Sequence, residues 1–234
     1  LIFFLRRWYK HYGTEGYVVT LDFKSYFPSA PHDTVEAIHR RFILDPDLRD
    51  LADSLLNAFS SVGMALGVET SQTEASILPN AIDHALKDQA RVKDLERYMD
   101  DTIFIVHTVA EAERLIDIAR RAATREGLML NEAKTHITPL TGWFKYCQWR
   151  FHMTESGRLV IKPSRRSITN MHHKLNSFGR KVSDGVMTVR QACSDYLCWR
   201  SYVRRSDCHN IVLKADRHFY RIFGFYPKKG ELPS

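Results

Sequence analysis

The sequence predicts an α+β fold: an antiparallel sheet with helices on one face, followed by a separate basic helical unit. Three observations carry this reading. Elements succeed one another in the order strand, helices, hairpin, helix, strands, and the pattern then stays helical almost to the end. Residues 1–157 hold 18 Lys/Arg against 22 Asp/Glu, whereas residues 158–234 hold 16 against 5. Asp22, Asp100 and Asp101 stand where apolar strands end or begin, although strands disfavour Asp. With 234 residues, 44% hydrophobic and 26% charged, the chain has the composition of a globular protein of one or two domains.

The elements follow in order. "LIFFL" runs directly into Arg6 and Arg7, so it is neither a membrane span nor a signal peptide, and reads as a buried helix face or strand. Tyr17–Leu21 of "GYVVTLDFKSYF" reads as a buried strand ending at Asp22. His32-Asp33 opens a helix with Val35, Ile38 and Phe42 at helical spacing. "DLRDLADSLLNAF" continues helical, with Leu48, Leu51, Leu55 and Leu56 on one face. After the Gly-containing turn in "SSVGMALGVETSQ", a helix is expected from about Thr73 to Gln89. "LERYMDDTIFIVHT" reads as strand, tight turn, strand, with the aspartates at the turn. "AEAERLIDIARRAATREG" is an amphipathic helix stopped by Gly127. "LMLNEAKTHITPL" offers a short strand with Lys134 near its start, and "WFKYCQWRFHMTESGRLVI" a hairpin turning at Glu155-Ser156-Gly157. Beyond Pro163 the chain is helical and basic.

No apolar run reaches membrane-spanning length. Cys147, Cys193, Cys198 and Cys208 form no C-x-x-C pair, and His172-His173 has no partner at zinc-finger spacing, which argues against structural zinc. Few cysteines and no signal sequence point to a reducing, cytoplasmic home. The basic C-terminal region favours a polyanion partner over an ordinary solvated surface.

Two adjacent aspartates at a turn can be no more than an exposed turn. If the end of the first strand and the hairpin tip are neighbours, however, three carboxylates converge and resist ionising together. Divalent cations resolve that conflict: two Mg²⁺ at roughly 3.5–4 Å separation take hard oxygen ligands and leave positions for water and phosphates. That chemistry is phosphoryl transfer by nucleotide addition.

"LDFKSYF", "YMDD", "LMLNEAKTHI" and "WFKYCQWRF" resemble, in the same order, the palm motifs of reverse transcriptases. The resemblance runs from about residue 17 to 155, and "YLCWRSYVRRSDCHNIVLKADRHFYRIFG" echoes the thumb of the bacterial retron and diversity-generating type. It implies a right-hand polymerase with a palm over residues 17–161, a basic helical thumb over 162–234, and residues 1–16 as the remnant of a fingers–palm connection. It implies an RNA-directed DNA polymerase extending a primer 3′-hydroxyl with two Mg²⁺, for which Mn²⁺ can substitute. Asp22, Asp100 and Asp101 become the catalytic carboxylates, Asp22 and Asp100 as the principal metal ligands and Asp101 as a ligand or an electrostatic support, with the Phe23 carbonyl as a further ligand. Phe27 would lie beneath the incoming sugar and exclude a 2′-hydroxyl, or else be plain core. Leu66, Gly67, Ser71 and Gln72 would line the nucleotide site. Lys134 would meet the triphosphate, or be simply an exposed lysine at a strand end. Tyr98, Met99, Lys145, Tyr146, Arg165, Arg166, Arg204 and Arg205 would contact primer or duplex. The expected partners are an RNA template, a DNA or RNA primer and dNTPs, without a membrane.

The sequence departs from the pattern twice. Where many members have Pro-Gln-Gly, this chain reads Ala65-Leu66-Gly67, a replacement reminiscent of diversity-generating enzymes and of relaxed fidelity. Only 21 residues precede Asp22, so a fingers region is largely absent; a fragment or truncated open reading frame is expected ahead of a minimal enzyme or a site completed by an accessory protein or the missing fingers segment. Two other readings stay open. One is a prokaryotic or phage-encoded defence polymerase that extends primers without a template; the other is a non-catalytic nucleic-acid-binding module of the same fold.

Overall fold

A computed structural model describes residues 1–227; the end of the expected thumb, residues 228–234, lies outside the described residues. The chain forms two compact units, Leu1–Gly142 and Trp143–Ser234. The units divide ahead of the 161/162 boundary expected between palm and thumb, because the hairpin strands pair among themselves and not with the N-terminal sheet.

The N-terminal unit is built on a four-stranded antiparallel sheet in the order β2-β3-β1-β4. Its strands are β1 (Tyr17–Leu21), β2 (Leu95–Tyr98), β3 (Asp101–Val106) and β4 (His136–Pro139). Strand β3 is buried from Thr102 through Val106, as its unbroken apolar run requires of a central strand. Helices α1 (Ile2–Tyr12), α2 (Tyr26–Ser29), α3 (His32–Phe42), α4 (Pro46–Asn57), α5 (Glu69–Ile77), α6 (Asn80–His84) and α7 (Val109–Arg125) complete the unit. Thr108 caps α7, its side chain accepting from the Glu111 N–H. The helix packs Leu115, Ile116, Ala119 and Ala123 into the same core as Val19, Leu21 and Phe104. Gly127 ends that segment at φ +70°, where a Cβ would also meet Pro31 Cγ at 2.5 Å.

Two expectations change. The helix expected over Thr73–Gln89 is interrupted: α5 ends at Ile77, α6 starts after Pro79, and Ala85–Gln89 forms a π-helical turn. Pro79 has no N–H to continue the helical ladder. The leucines of α4 also part company. Leu56 is buried, whereas Leu48 and Leu51 are more than half exposed, because α4 packs on α3 by one side only.

The C-terminal unit begins with a three-stranded antiparallel meander, β5 (Phe144–Tyr146), β6 (Trp149–Met153) and β7 (Leu159–Pro163). The expected hairpin thus gains a second tight turn at Cys147, which adopts φ +52°. Helices α8 (Arg165–Ser183), α9 (Val189–Val203) and α10 (His209–Phe223) follow. They bury Leu175, Phe178, Ala192, Tyr196 and Phe219 among themselves. Among the described residues Cys147, Cys193, Cys198 and Cys208 form no disulfide. No described helix is long and apolar enough to cross a membrane.

Candidate active site

Strand register decides where the carboxylates fall. Strand β1 pairs with β3 with Leu21 opposite Thr102, so one more step along the same register sets Asp22 beside Asp101. Strands β2 and β3 pair Tyr98 with Asp101 around a two-residue turn, Met99-Asp100. The end of β1 and the hairpin tip therefore share one sheet edge, and a single pairing pattern brings together residues almost eighty positions apart.

Asp22 is 8% exposed, and its carboxylate is held from the other side of β1. Lys134 Nζ donates to both of its oxygens, at 3.0 and 2.9 Å. Asn131 Nδ2 approaches Asp22 Oδ1 at 3.4 Å, while the Asn131 N–H donates to the Asp22 carbonyl at 2.8 Å. Lys134 lies on the 3₁₀ turn Glu132–Lys134 just before β4, not on a strand. The hydrogen bond to Asp22 raises the affinity of its amine for a proton; partial burial opposes this, and the charges of Asp22, Asp100 and Asp101 add to it. All three carboxylates thus act on one ammonium.

Hard oxygen donors of this kind suit Mg²⁺ or Mn²⁺, and a lysine ammonium bound by both Asp22 oxygens shows that the edge accepts a cation. Among the described residues no three acidic, His or Cys side chains are already spaced as an ion cage. The donor set fits a divalent ion chemically.

The remaining expected residues frame this edge unevenly. Phe23 is buried, bridges Leu130 and stacks on Tyr26 at 5.4 Å between ring centroids. The Tyr26 hydroxyl donates to the Ala75 carbonyl on α5 at 2.5 Å, and burial pushes that phenol well above its usual range. Phe27 is partly buried against the core, edge-on to Tyr26. Leu66 is 74% exposed, and Gly67 takes φ +87° with open space where a Cβ would point. Ser71 is buried and Gln72 exposed on the first turns of α5. Tyr98 is exposed, and Met99 takes φ +53°.

Other residues that shape the site escape motif reading. Gly63 docks the 60–68 loop on α2: its N–H donates to the Ala30 carbonyl at 2.9 Å, and the Met64 N–H donates to the Phe27 carbonyl at 2.8 Å. His32 Nε2 lies 2.8 Å from the Gly63 carbonyl. Arg97 bonds Asp83 and the Met99 carbonyl. The visible signal for Arg97 was a cation inside a short strand, next to the tyrosine of "YMDD".

The C-terminal unit carries its own feature, a cleft of about 580 Å³. Lys145, Arg150, Arg165, Arg166 and Lys174 line it together with Trp199, and no acidic residue does. Burial and the facing Arg165 push the Arg150 guanidinium below its usual range. Arg165 and Arg166 sit in the first turn of α8, where the helix dipole disfavours cations and attracts anions. Tyr146 is buried, while Arg204 and Arg205 are exposed just after α9. Arg200 is not available to a polyanion in this way, because it bonds the buried Asp216 at 2.9 Å, as does the Tyr196 hydroxyl at 2.6 Å.

An antiparallel sheet with helices packed on it and carboxylates gathered at one edge is the architecture of a polymerase-like palm. The family model "Reverse transcriptase (RNA-dependent DNA polymerase)" matches residues 6–197, and the chain belongs to that family. Among solved structures, telomerase from Candida albicans, determined in complex with a fragment of telomeric RNA, superposes with a TM-score of 0.56 at 10% sequence identity. The match covers 96% of this chain and 48% of that one, so this chain spans about half the length of the telomerase chain it resembles. That likeness establishes the fold alone. No curated protein matches the sequence.

Proposed function

We propose that this chain is an RNA-directed DNA polymerase that adds deoxynucleotides to a primer 3′-hydroxyl at the Asp22–Asp100–Asp101 edge. The observation that carries the proposal is the strand register that sets Asp22 beside Asp101 at the Met99-Asp100 turn, with Lys134 Nζ on both Asp22 oxygens. Family membership supports RNA-templated DNA synthesis as the reaction class, and the telomerase neighbour, solved with RNA, is in keeping with an RNA template.

The Asp22, Asp100 and Asp101 carboxylates and the Phe23 carbonyl would hold two divalent ions. Bound there, such ions supply Lewis-acid stabilisation of phosphoryl oxygens and a more acidic 3′-hydroxyl. The other steps belong to the chain itself. Lys134 keeps its charge at the edge where the triphosphate would lie, so it can neutralise departing pyrophosphate, or protonate it once the Asp22 bond that strengthens its hold on the proton is released. Phe27, fixed edge-on to Tyr26, presents a ring to the sugar. Leu66 offers an apolar side chain to the nascent base pair in place of an amide. In the thumb, 162–234, and the end of the palm, 17–161, the basic cleft would follow the backbone of primer and template without reading sequence.

Mg²⁺-dependent extension of a DNA primer on an RNA template, with all four dNTPs, tests the reading. Asp100→Ala/Asp101→Ala is expected to reduce extension at least about a thousandfold while leaving duplex binding intact. Equal extension by the double variant would overturn the proposal. Extension without template would favour the template-independent alternative, and duplex binding without extension the non-catalytic one.

A further inference from the structure

We propose that Arg97, anchored by Asp83, is the positioning residue that holds the Met99-Asp100 turn in the conformation presenting Asp100 and Asp101. The inference rests on the polymerase reading above for its consequence, and on geometry alone for its first step.

Met99 is the first central residue of a two-residue hairpin turn and takes φ +53°. Turns of this kind favour Gly, Asn or Asp there, because a side chain at positive φ crowds the backbone. A methionine persists in such a place only when its surroundings over-determine it. Arg97 supplies that constraint. Its Nη1 donates to the Met99 carbonyl at 3.2 Å. Its Nε donates to both Asp83 oxygens at 3.0 and 2.9 Å, and Nη2 to Asp83 Oδ2 at 2.7 Å. Nη2 also reaches the Ser76 carbonyl at 3.0 Å and Asn80 Oδ1 at 3.2 Å. The planar fork is thus fixed by the end of α5 and by α6, with one arm left to grip the turn. The Arg97 side chain is only 10% exposed, so water does not compete freely for these bonds. A lysine would keep the charge but could not bridge the carboxylate and hold the carbonyl at once.

The test uses the full chain with Arg97→Lys and, separately, Asp83→Asn, which preserves volume and keeps the guanidinium while removing the charge that anchors it. Amide exchange at Asp101 and Thr102 reports the turn, exchange at Val18 and Val19 the rest of the sheet. In Arg97→Lys, turn exchange is expected to rise about tenfold with the sheet unchanged, a local rather than global opening. The Mg²⁺ concentration for half-maximal extension and the Mn²⁺ dissociation constant by titration calorimetry are expected to rise about fivefold or more, because misplaced groups lose disproportionately at a site of fixed geometry. Asp83→Asn should move the same readouts the same way by less, and add little to Arg97→Lys.

Unchanged turn exchange, or a lower melting temperature with an unchanged Mg²⁺ midpoint, would reduce Arg97 to an ordinary ion pair of the fold and overturn the inference. If Arg97→Lys does not fold, Asp83→Asn decides on the same readouts. Should the wild type neither extend primers nor bind Mn²⁺, the polymerase reading fails, while turn exchange still decides whether Arg97 sets the turn.

Discussion

The two units spend charge in opposite ways. The N-terminal unit, residues 1–142, carries 16 Lys/Arg against 21 Asp/Glu, and several of its cations are tied to single named partners: Lys134 to Asp22, Arg97 to Asp83, Arg7 to Asp94. The C-terminal unit, residues 143–234, carries 18 against 6 and gathers five cations around one cleft with no acid in its lining. The difference fits the roles proposed above for the two sets of charges. Groups proposed to react must be held to within fractions of an ångström, and Asp22 has such a partner in Lys134. Charges that attract a polymeric backbone need only a field, and pairing would cancel it.

This division is sharpest for substitutions that remove one kind of charge. Asp22→Asn should lower primer extension by about a thousandfold, with duplex affinity unchanged or slightly tighter because a negative charge is gone. Arg165→Gln/Arg166→Gln should do the reverse. The slope of log affinity against log salt should become shallower by about two, with turnover at saturating duplex preserved. Binding titrations across a salt series, beside single-turnover extension, would measure both. An arginine pair whose loss abolished turnover at saturating duplex would break the division, since those side chains would then belong to the chemistry.

The same contrast explains what could be read from sequence. Strands β1 and β3 were legible because a buried strand leaves an unbroken apolar run, and α7 because its apolar period and closing glycine agree. The aspartates were legible because they violate strand preference. What could not be read is whatever depends on a partner distant in sequence. Nothing local to Arg97 marks Asp83 as its anchor. Nothing in "SSVG" says that Gly63 will lie against the Phe27 and Pro28 carbonyls. His172 lacked a zinc-finger partner, yet it meets His218, far along the chain, at 2.7 Å between Nδ1 atoms. Helical periodicity likewise placed Leu48, Leu51, Leu55 and Leu56 on a common face, but could not tell which of them a neighbouring helix would cover.

Within the N-terminal unit, two glycines of one loop separate fixed from free backbone. At Gly63 a Cβ would stand 2.6 Å from the Pro28 carbonyl oxygen, and φ is +91°. At Gly67 φ is +87° but a Cβ would meet nothing. Gly63→Ala should therefore cost about 3 kcal/mol, strain plus a backbone clash, and Gly67→Ala only about 1 kcal/mol of strain. Denaturant titration of the two variants measures the difference. Equal costs would mean that the loop is not anchored on α2 through Gly63.

The smallest expected effect distinguishes the units by their histidines. In the N-terminal unit the buried His39 stands between two carboxylates, Asp53 and Glu74. In the C-terminal unit His218 faces another histidine, with its Nε2 at 2.7 Å from Asn176 Oδ1. The Asn176 contact places the proton on Nε2, leaving His218 Nδ1 to accept from His172. A second proton on His218 would turn that bond into a repulsion. Burial, His172 and Arg221 accordingly hold its imidazole below the usual histidine range. As pH falls, the unfolded chain takes up this proton first, near pH 6.5. Stability should therefore be flat above about pH 7 and decline from about pH 6.5 down to the lower folded value, where the loss is complete. The melting temperature of the C-terminal unit should fall across that window, and His218→Asn should flatten the decline. A wild-type profile that stayed level to pH 5 would show that the two imidazoles separate at no cost, and that the apolar core of Leu175, Phe178 and Phe219 holds α8 against α10 without them.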